Sequence, residues 1–408
     1  MSEAPMFQPL KGLRVIDLTQ VLAGPYATYQ LALMGAEVIK VENPDGGDWT
    51  RAGKSLPGHE NQGLGASYLT QNANKKSVAI DLKQPEGLAL LKKLVASADF
   101  FVENFRPGTA ARLGLSFEDI KAVNNRIIYC SMSAYGQDGP ISHRPAYDHV
   151  VQGMCGIMMS TGQAGTVPNK VGSPYIDYVT GLNGAFAMSN ALHQSRLTGE
   201  AVRVDVAMLD SAMMLMASML TQSLSLGMKH EANGNEAFSR SPSSGAFETT
   251  SGTLMIAANN ERQFASLCRG IGRADILDDP RWSTLAARAE NTEALREAIA
   301  SAIKTNTADH WEAALDKELV PAARVRSINE VLNEGQLQAR GLMVGMPMPG
   351  SDTPAFVPTL GFKADGEVVA PIRAPVKLGA DTEAVLTALG IDKQEIHALK
   401  TKAVIGTG

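Results

Sequence analysis

Within the first 135 residues, short apolar runs of strand length alternate with segments of helix length, and the residues between them are those that start and stop helices. Residues 14–18 predict a strand, 19–25 a turn, 26–34 a helix and 37–41 a second strand, which makes a βαβ unit. Pro25 suits a first helical turn, where its missing N–H costs nothing, and Gly35 suits the left-handed position that closes a helix. The pattern repeats with a strand at 77–82, a helix at 85–97 opened by Pro85, a strand at 100–103 and another at 127–131. Between the last two, Ser116 and Asp119 form a capping-box pattern that opens a helix toward Val123. Apolar strands alternating with helices predict an α/β class, with a doubly wound parallel sheet covered on both faces.

A helix is predicted over 177–197, ended by Thr198 and Gly199, then a strand at 201–206 and a methionine-rich helix over 207–226. That last stretch carries Asp210, Gln222 and several serines, so it reads as a buried core or subunit-interface helix rather than a membrane span. After Gly227 the texture changes. A polar Ser/Asn/Gly-rich stretch at 230–245 precedes a strand at 254–257 and helices at 263–270, 292–304 and 308–315, a smaller α+β domain. Beyond Pro321 the chain is Pro/Gly-rich up to a final helix at 381–389. At 408 residues, two domains are the default: 1–205 as the first part of a large domain, 206–228 as a linking helix and 229–325 as a small domain.

The net charge of −5 argues against a protein that grips nucleic acid. Cys130, Cys155 and Cys268 are far apart, which fits a reducing cytoplasm, and Glu3 and Pro5 stand where an export signal needs a basic start and an apolar run. The seven histidines show no metal-ligand spacing; His149 reads as structural. The GxGxxG, GxxxxGK[ST] and GxSxG patterns are all missing, so neither a dinucleotide fingerprint, a P-loop nor a nucleophile elbow is available. Lys75, Lys76 and Arg106 lie near strand ends, where they read more readily as solvated surface than as phosphate ligands. Asp177 follows a Gly/Pro loop at a helix start, where its bland reading is an N-cap.

Several stretches are familiar in combination: Leu-Lys-Gly-Leu-Arg-Val-Ile-Asp-Leu (10–18), Val-Leu-Ala-Gly-Pro (21–25), Leu-Met-Gly-Ala-Glu-Val-Ile-Lys-Val-Glu (33–42), Asn-Lys-Lys-Ser (74–77), Val-Glu-Asn-Phe-Arg-Pro-Gly (102–108), Tyr-Gly-Gln-Asp-Gly-Pro (135–140) and Gly-x-Pro-x-x-Asp-x-x-x-Gly (172–181). This ordered set resembles the class III CoA-transferase family, which also contains α-methylacyl-CoA racemases. The resemblance implies a Rossmann-like large domain built from both ends of the chain, with 326–408 as linker and return to it. It also implies an interlocked, ring-like homodimer. Asp177 falls on the family's nucleophile. The CoA-contacting positions fall on Leu22, Ala23, Asn43, Ile80, Asp81, Leu82, Lys83, Asn104, Phe105, Arg106, Arg112, Arg144, Pro145, Ala146, Tyr147 and Asp148.

The sequence departs from the formyl-CoA branch, which carries glutamine at the place of Leu22, arginine at that of Asn43, and a glycine-rich lid where 233–245 stands. Tyr147 occupies the place of the histidine that racemases require, so transfer is favoured over racemisation. Arg51, Arg106 and Arg240 are candidates to recognise a second carboxylate. The run Ala-Asn-Asn-Glu-Arg-Gln-Phe (258–264) is similar to the dicarboxylate branch, which implies succinyl-CoA as donor and C4–C6 diacids as acceptors; carnitine-type and bile-acid acceptors stay open. On this reading Asp177 becomes a mixed anhydride and then an aspartyl-CoA thioester, with backbone N–H groups around Ala23 and Gly24 at the oxyanion. CoA thioesters are substrates, and no permanently bound cofactor, metal, nucleic acid or membrane is expected.

Overall fold

The computed structural model describes residues 7–408 and gathers the alternating apolar runs into one seven-stranded sheet. Its parallel strands are β1 (Arg14–Asp17), β2 (Glu37–Glu42), β3 (Lys75–Ile80), β4 (Phe100–Glu103), β5 (Ile128–Ser133) and β6 (Val202–Ala207), in the spatial order β3-β2-β1-β4-β5-β6. A short strand not foreseen from sequence, Ile405–Gly406, pairs antiparallel with the outer edge of β3. The architecture is therefore mixed α/β with a parallel-dominated sheet.

Successive side chains on a strand point to opposite faces, so each apolar run feeds two cores. Ile16, Ile39, Val78 and Phe101 pack with Leu90, Leu91 and Leu94 of the helix Pro85–Val95. Val15, Val38, Phe100 and Cys130 pack on the other face, with Ala27 and Leu31 of helix α1 (Ala23–Leu33) and with Met188 and Leu192 of the long helix Tyr175–Thr198. Each fully buried side chain of this size contributes roughly 1.5–3 kcal/mol. The Ser116–Asp119 capping box forms as expected.

The chain winds outward from β1 in one direction through β2 and β3, then returns to β1's other side with β4: Val15 pairs with both Val38 and Phe100. At such a switch point the connections leaving two neighbouring strands diverge and open a crevice at the carboxyl end of the sheet. Glycine brings a further element to that crevice. A Cβ on Gly181 would sit 2.8 Å from the Ala23 carbonyl oxygen and 3.0 Å from the Tyr26 ring, and one on Gly184 would meet Met132 and Ala27. Only glycine lets the Tyr175–Thr198 helix lie this close to α1, with Tyr178 edge-on to Tyr26 at 4.9 Å between ring centres.

These elements belong to a first unit made of the chain up to Ile157, Lys170–Met228 and Gly335–Gly408. The second unit, Met158–Asn169 with Lys229–Glu334, has a three-stranded antiparallel sheet of β7 (Ser244–Glu248), β8 (Thr253–Ala257) and β9 (Ala322–Arg324). The helices Glu261–Gly270, Thr292–Ile303 and Ala308–Lys317 pack on it through Phe264, Leu267, Leu295, Ile299 and Trp311.

The methionine-rich segment departs from expectation, because it breaks at Met216 into Met208–Leu215 and Ala217–Leu226. Met208, Ala212 and Met216, four residues apart, pack against Val151, Cys155 and Ile176, whereas Ala217–Leu226 buries none of its residues. The core role therefore rests mainly on its first half, with the partly buried Met219 packed against the same cluster. A second C-terminal helix, Lys393–Thr401, follows the expected one and packs through Ile396 and Leu399.

Candidate active site

The turn from β1 into α1 is held by charges buried on β1, β2 and β3 and in the segment that follows β2. Asp17, Lys40, Glu42, Asp48, Arg51 and Lys75 are all buried. They pair as Lys75–Asp17 at 3.0 Å, Lys40–Asp48 at 3.1 Å and Arg51–Glu42 at 2.7 Å. Three cations face three anions, so each of these six buried charges has a counterion, and removing one partner of such a pair costs roughly 3–5 kcal/mol. Burial alone would raise the Asp17 pKa, but Lys75 and Lys40 reverse that and hold it below the ordinary carboxylate value. Burial lowers the Lys75 ammonium to about 8, with Asp17 opposing.

Spare bonding capacity on these groups goes to the turn's backbone. Asp17 accepts from Thr19 N at 2.9 Å, Lys40 Nζ donates to Thr19 O, and Lys75 Nζ donates to Pro25 O at 2.9 Å. Asp48 accepts from Val21 N, and Gln71 Nε2 donates to Val21 O at 2.6 Å. Asn104 holds Gln20 on both sides, accepting from its N–H at 2.9 Å and donating to its carbonyl at 2.8 Å. Val21 is thereby fixed at φ 75°. The first N–H groups of α1 follow directly, and like those of any helix they have no intrahelical acceptor.

Asp177 lies in the first turn of Tyr175–Thr198, half-buried beside that turn. It is not the cap. The buried Asp148 carboxylate takes that position from a distant part of the chain, accepting from Ile176 N at 2.8 Å and Asp177 N at 3.2 Å through Oδ2, and from Gln152 Nε2 at 2.6 Å through Oδ1. Gln152 in turn accepts from Val171 N, which ties down the loop leading into the helix. The Asp177 carboxyl is left free for chemistry. Desolvation, followed by the nearby Asp148 charge, pushes its pKa up to about 7.

A cavity of about 410 Å³ opens over Asp177. Of the residues predicted for CoA, it gathers Leu22, Ala23, Asn104, Phe105, Arg106, Arg144, Pro145, Ala146 and Tyr147. A second cavity of about 160 Å³ at the ends of β2 and β3 gathers Asn43, Ile80, Asp81, Leu82 and Lys83. The two share Gln20 and Phe105 on their walls, so they lie side by side.

Three predicted residues are placed otherwise within the first unit, while Arg240 belongs to the second. Arg51 is 3% exposed and spends its guanidinium on Glu42, Tyr68, Ser77 and the carbonyls of Gly63 and Val376, so it is a core cation rather than a substrate ligand. Asp148 lies under the helix start, outside both cavity linings, with both of its oxygens bonded to protein groups. Arg112 is exposed outside both cavities and donates to Thr109. Asn104 lines the cavity, but its amide is committed to Gln20. Lys75 is a buried ion rather than a solvated surface lysine, whereas Lys76, its side chain 40% exposed and paired with Glu37, lies at the surface as expected.

Sequence reasoning missed Gln20, Val21, Trp49, Ser133, Thr180 and Met208 on the cavity wall, and the buried charges beneath it. The signal for those charges was legible: Asp17, Lys40 and Glu42 interrupt runs otherwise apolar enough to be buried on both faces.

A family model described as CoA-transferase family III matches residues 10–382. The chain is 38% identical to succinate–glutarate CoA-transferase of Agrobacterium fabrum, over 86% of this chain and 89% of that protein. It is 33% identical to succinyl-CoA:glutarate CoA-transferase of Mus musculus, over 99% and 92% of the two chains. It is 34% identical to succinyl-CoA–D-citramalate CoA-transferase of Chloroflexus aurantiacus, over 84% of each. Among solved structures, a CAIB/BAIF family protein from Brucella suis superposes with a TM-score of 0.81 at 31% identity, covering 93% of this chain and 99% of its own.

Proposed function

The chain belongs to CoA-transferase family III, and on that premise we propose that it moves coenzyme A from succinyl-CoA to a dicarboxylic acid with Asp177 as the covalent nucleophile. The observation that carries this reading is the half-buried Asp177 carboxylate, set at a helix start on the wall of the larger cavity with its pKa pushed up to about 7. A carboxylate deprived of water is a stronger nucleophile than one in solution, and it ionises in the pH range where the enzyme would work.

In the first step an Asp177 oxygen attacks the thioester carbonyl and the C–S bond breaks, giving a mixed anhydride and CoA thiolate. The thiolate attacks the aspartyl carbonyl, releasing the donor acid and leaving an aspartyl-CoA thioester. The acceptor carboxylate then attacks that thioester to form a second anhydride, and the returning thiolate takes the acceptor's acyl carbon and frees Asp177. Both activated bonds are exchanged for bonds of similar energy, so no hydrolysis is needed. The N–H groups of Ala23 and Gly24 are the donors for the oxyanion, a contribution of ~3–4 kcal/mol per donor in comparable sites.

The two adjacent cavities support the placement of CoA, with the nucleotide end toward Asn43 and Lys83 and the thioester near Asp177. The relatives' named substrates support the diacid class. Arg106 is exposed on the wall of the Asp177 cavity and is the candidate for the acid's second carboxylate. The racemase reading is disfavoured because Tyr147, not histidine, stands on the cavity wall before Asp148.

The test is incubation with succinyl-CoA and a panel of acids, followed by hydroxylamine trapping and peptide mass mapping. A hydroxamate on Asp177 and CoA exchange into a diacid are the expected results. Full transfer by Asp177→Ala would refute the mechanism.

A further inference from the structure

Val21 is a β-branched residue at φ 75°, in the left-handed region where such a side chain is strained. Strain of this kind persists only where the surroundings over-determine it. Here they can be named. Val21 N donates to both oxygens of Asp48 at 3.3 Å, and Gln71 holds the Val21 carbonyl at 2.6 Å. The preceding Gln20 is fixed by Asn104. Asp48 is itself immobile: it is fully buried, paired with Lys40 at 3.1 Å, and accepts from Thr50 N at 3.0 Å and Thr50 Oγ1 at 2.8 Å. Lys40 bridges the assembly by donating to Thr19 O as well.

We propose that Asp48, anchored by Lys40, is a positioning residue for the transfer reaction: it holds Val21 in the left-handed conformation so that the N–H groups opening α1 face the cavity over Asp177. The inference rests on the reading of that cavity as an acyl-transfer site. Asp48 touches no substrate and lies outside the cavity lining. It acts through one backbone conformation, because a Val21 released to negative φ rotates the peptide units on either side of it and carries the α1 donors away from the reacting carbonyl. Other non-glycine residues at positive φ among those described are Asn61, Asn74, Arg240, Leu319, Asp365 and Ala403, none of them β-branched, so Val21 carries the least tolerant side chain in that conformation.

The experiment measures Asp48→Asn in two backgrounds, native Val21 and Val21→Gly, with succinyl-CoA and glutarate as substrates. Glycine adopts positive φ without strain, so in its presence the turn no longer depends on Asp48. In the native background Asp48→Asn is expected to lower kcat by about 10²-fold, the scale of losing one oxyanion donor, with KM for succinyl-CoA changed by less than about threefold. In the Val21→Gly background the same substitution is expected to lower kcat by about tenfold or less. A loss equal in both backgrounds overturns the proposal, since a general structural role for the buried pair would not be rescued by glycine.

Should Asp48→Asn not fold, Gln71→Ala replaces it. Gln71 grips the other side of the Val21 residue and carries no charge, and the same comparison applies. Failure of the functional reading is distinguishable, because the unmodified chain would then show no transfer to any diacid. The coupling is in that case read from thermal midpoints: a smaller drop on Asp48→Asn in the glycine background supports the control of Val21 by Asp48, and equal drops overturn it.

Discussion

Replacing Asp177 with asparagine should stabilise the protein and do so only where the carboxyl would be ionised. Asparagine has the same shape and no charge to desolvate. With the folded-state pKa of Asp177 near 7 against 3.8 for the free side chain, the folded chain binds more protons than the unfolded chain between those values. The contribution of this group to stability therefore falls as pH rises through that window and is fully lost above about 7. At ~1.4 kcal/mol per unit the ceiling is ~4 kcal/mol. Asp177 is partly exposed, and solvent screening brings the expectation to ~2 kcal/mol.

The assay is urea denaturation of the native chain and Asp177→Asn at matched pH values from about 4.5 to 8.5, where taking the difference at each pH cancels every other titration. Asp177→Asn should gain stability progressively up to about pH 7 and hold a constant advantage above it. Transfer by the native chain should rise with pH over the same range, and the variant should transfer nothing. A stability difference that does not change with pH would show that Asp177 is an ordinary solvated carboxylate. The fold would then store no extra nucleophilicity in it.

Asp148→Asn should move the pH of half-maximal transfer downward, because Asp148 is one of the two causes holding the Asp177 pKa up; a pH–rate profile reads the shift. Gly181→Ala should destabilise the chain by roughly 1–3 kcal/mol and lower kcat, since its methyl would meet the Ala23 carbonyl at 2.8 Å. Gly184→Ala should cost less, because the Met132 side chain it meets can move. Arg51→Lys should lower the thermal midpoint by several degrees while leaving KM for the diacid unchanged, because its bidentate pair with Glu42 is internal. A raised KM with an unchanged midpoint would return Arg51 to the substrate site.

The parts of the fold that follow from local rules were legible in the sequence. The strands and longer helices expected in the first 135 residues were set by apolar runs, Pro25, Pro85 and Gly35, and their boundaries moved by only a few residues, whereas the short helices Trp49–Arg51, Ala66–Leu69 and Thr109–Arg112 were not foreseen. Ile405–Gly406 was not legible, because a two-residue strand has no period and exists only through its pairing with β3. The break at Met216 was not legible either: methionine and serine permit helix throughout 207–226, and what ends the packed stretch is the loss of buried neighbours beyond Met216. Position on the sheet also separated arginines that sequence treated alike. Arg51 reaches back to Glu42 on β2, while Arg106 follows β4 and ends on the cavity wall.

The residues that broke the simple rules are those that build the site. Charged side chains inside buried strands, a β-branched residue at positive φ and a carboxylate held above its usual pKa are each unfavourable taken singly. They occur around one turn and one helix start. A sheet with apolar cores on both faces can carry such local costs, and Gly181 and Gly184 bring the Asp177 helix against α1 closely enough for them to act together. The same reasoning explains why Asp148 and Asn104, read from sequence as contacts to CoA, spend their polar groups on protein partners. A turn and a helix start that must present free N–H groups and a free carboxyl need their other polar groups satisfied from outside the local chain. Asp148 does this for Tyr175–Thr198 from 29 residues away, and Asn104 does it for Gln20 from 84 residues away.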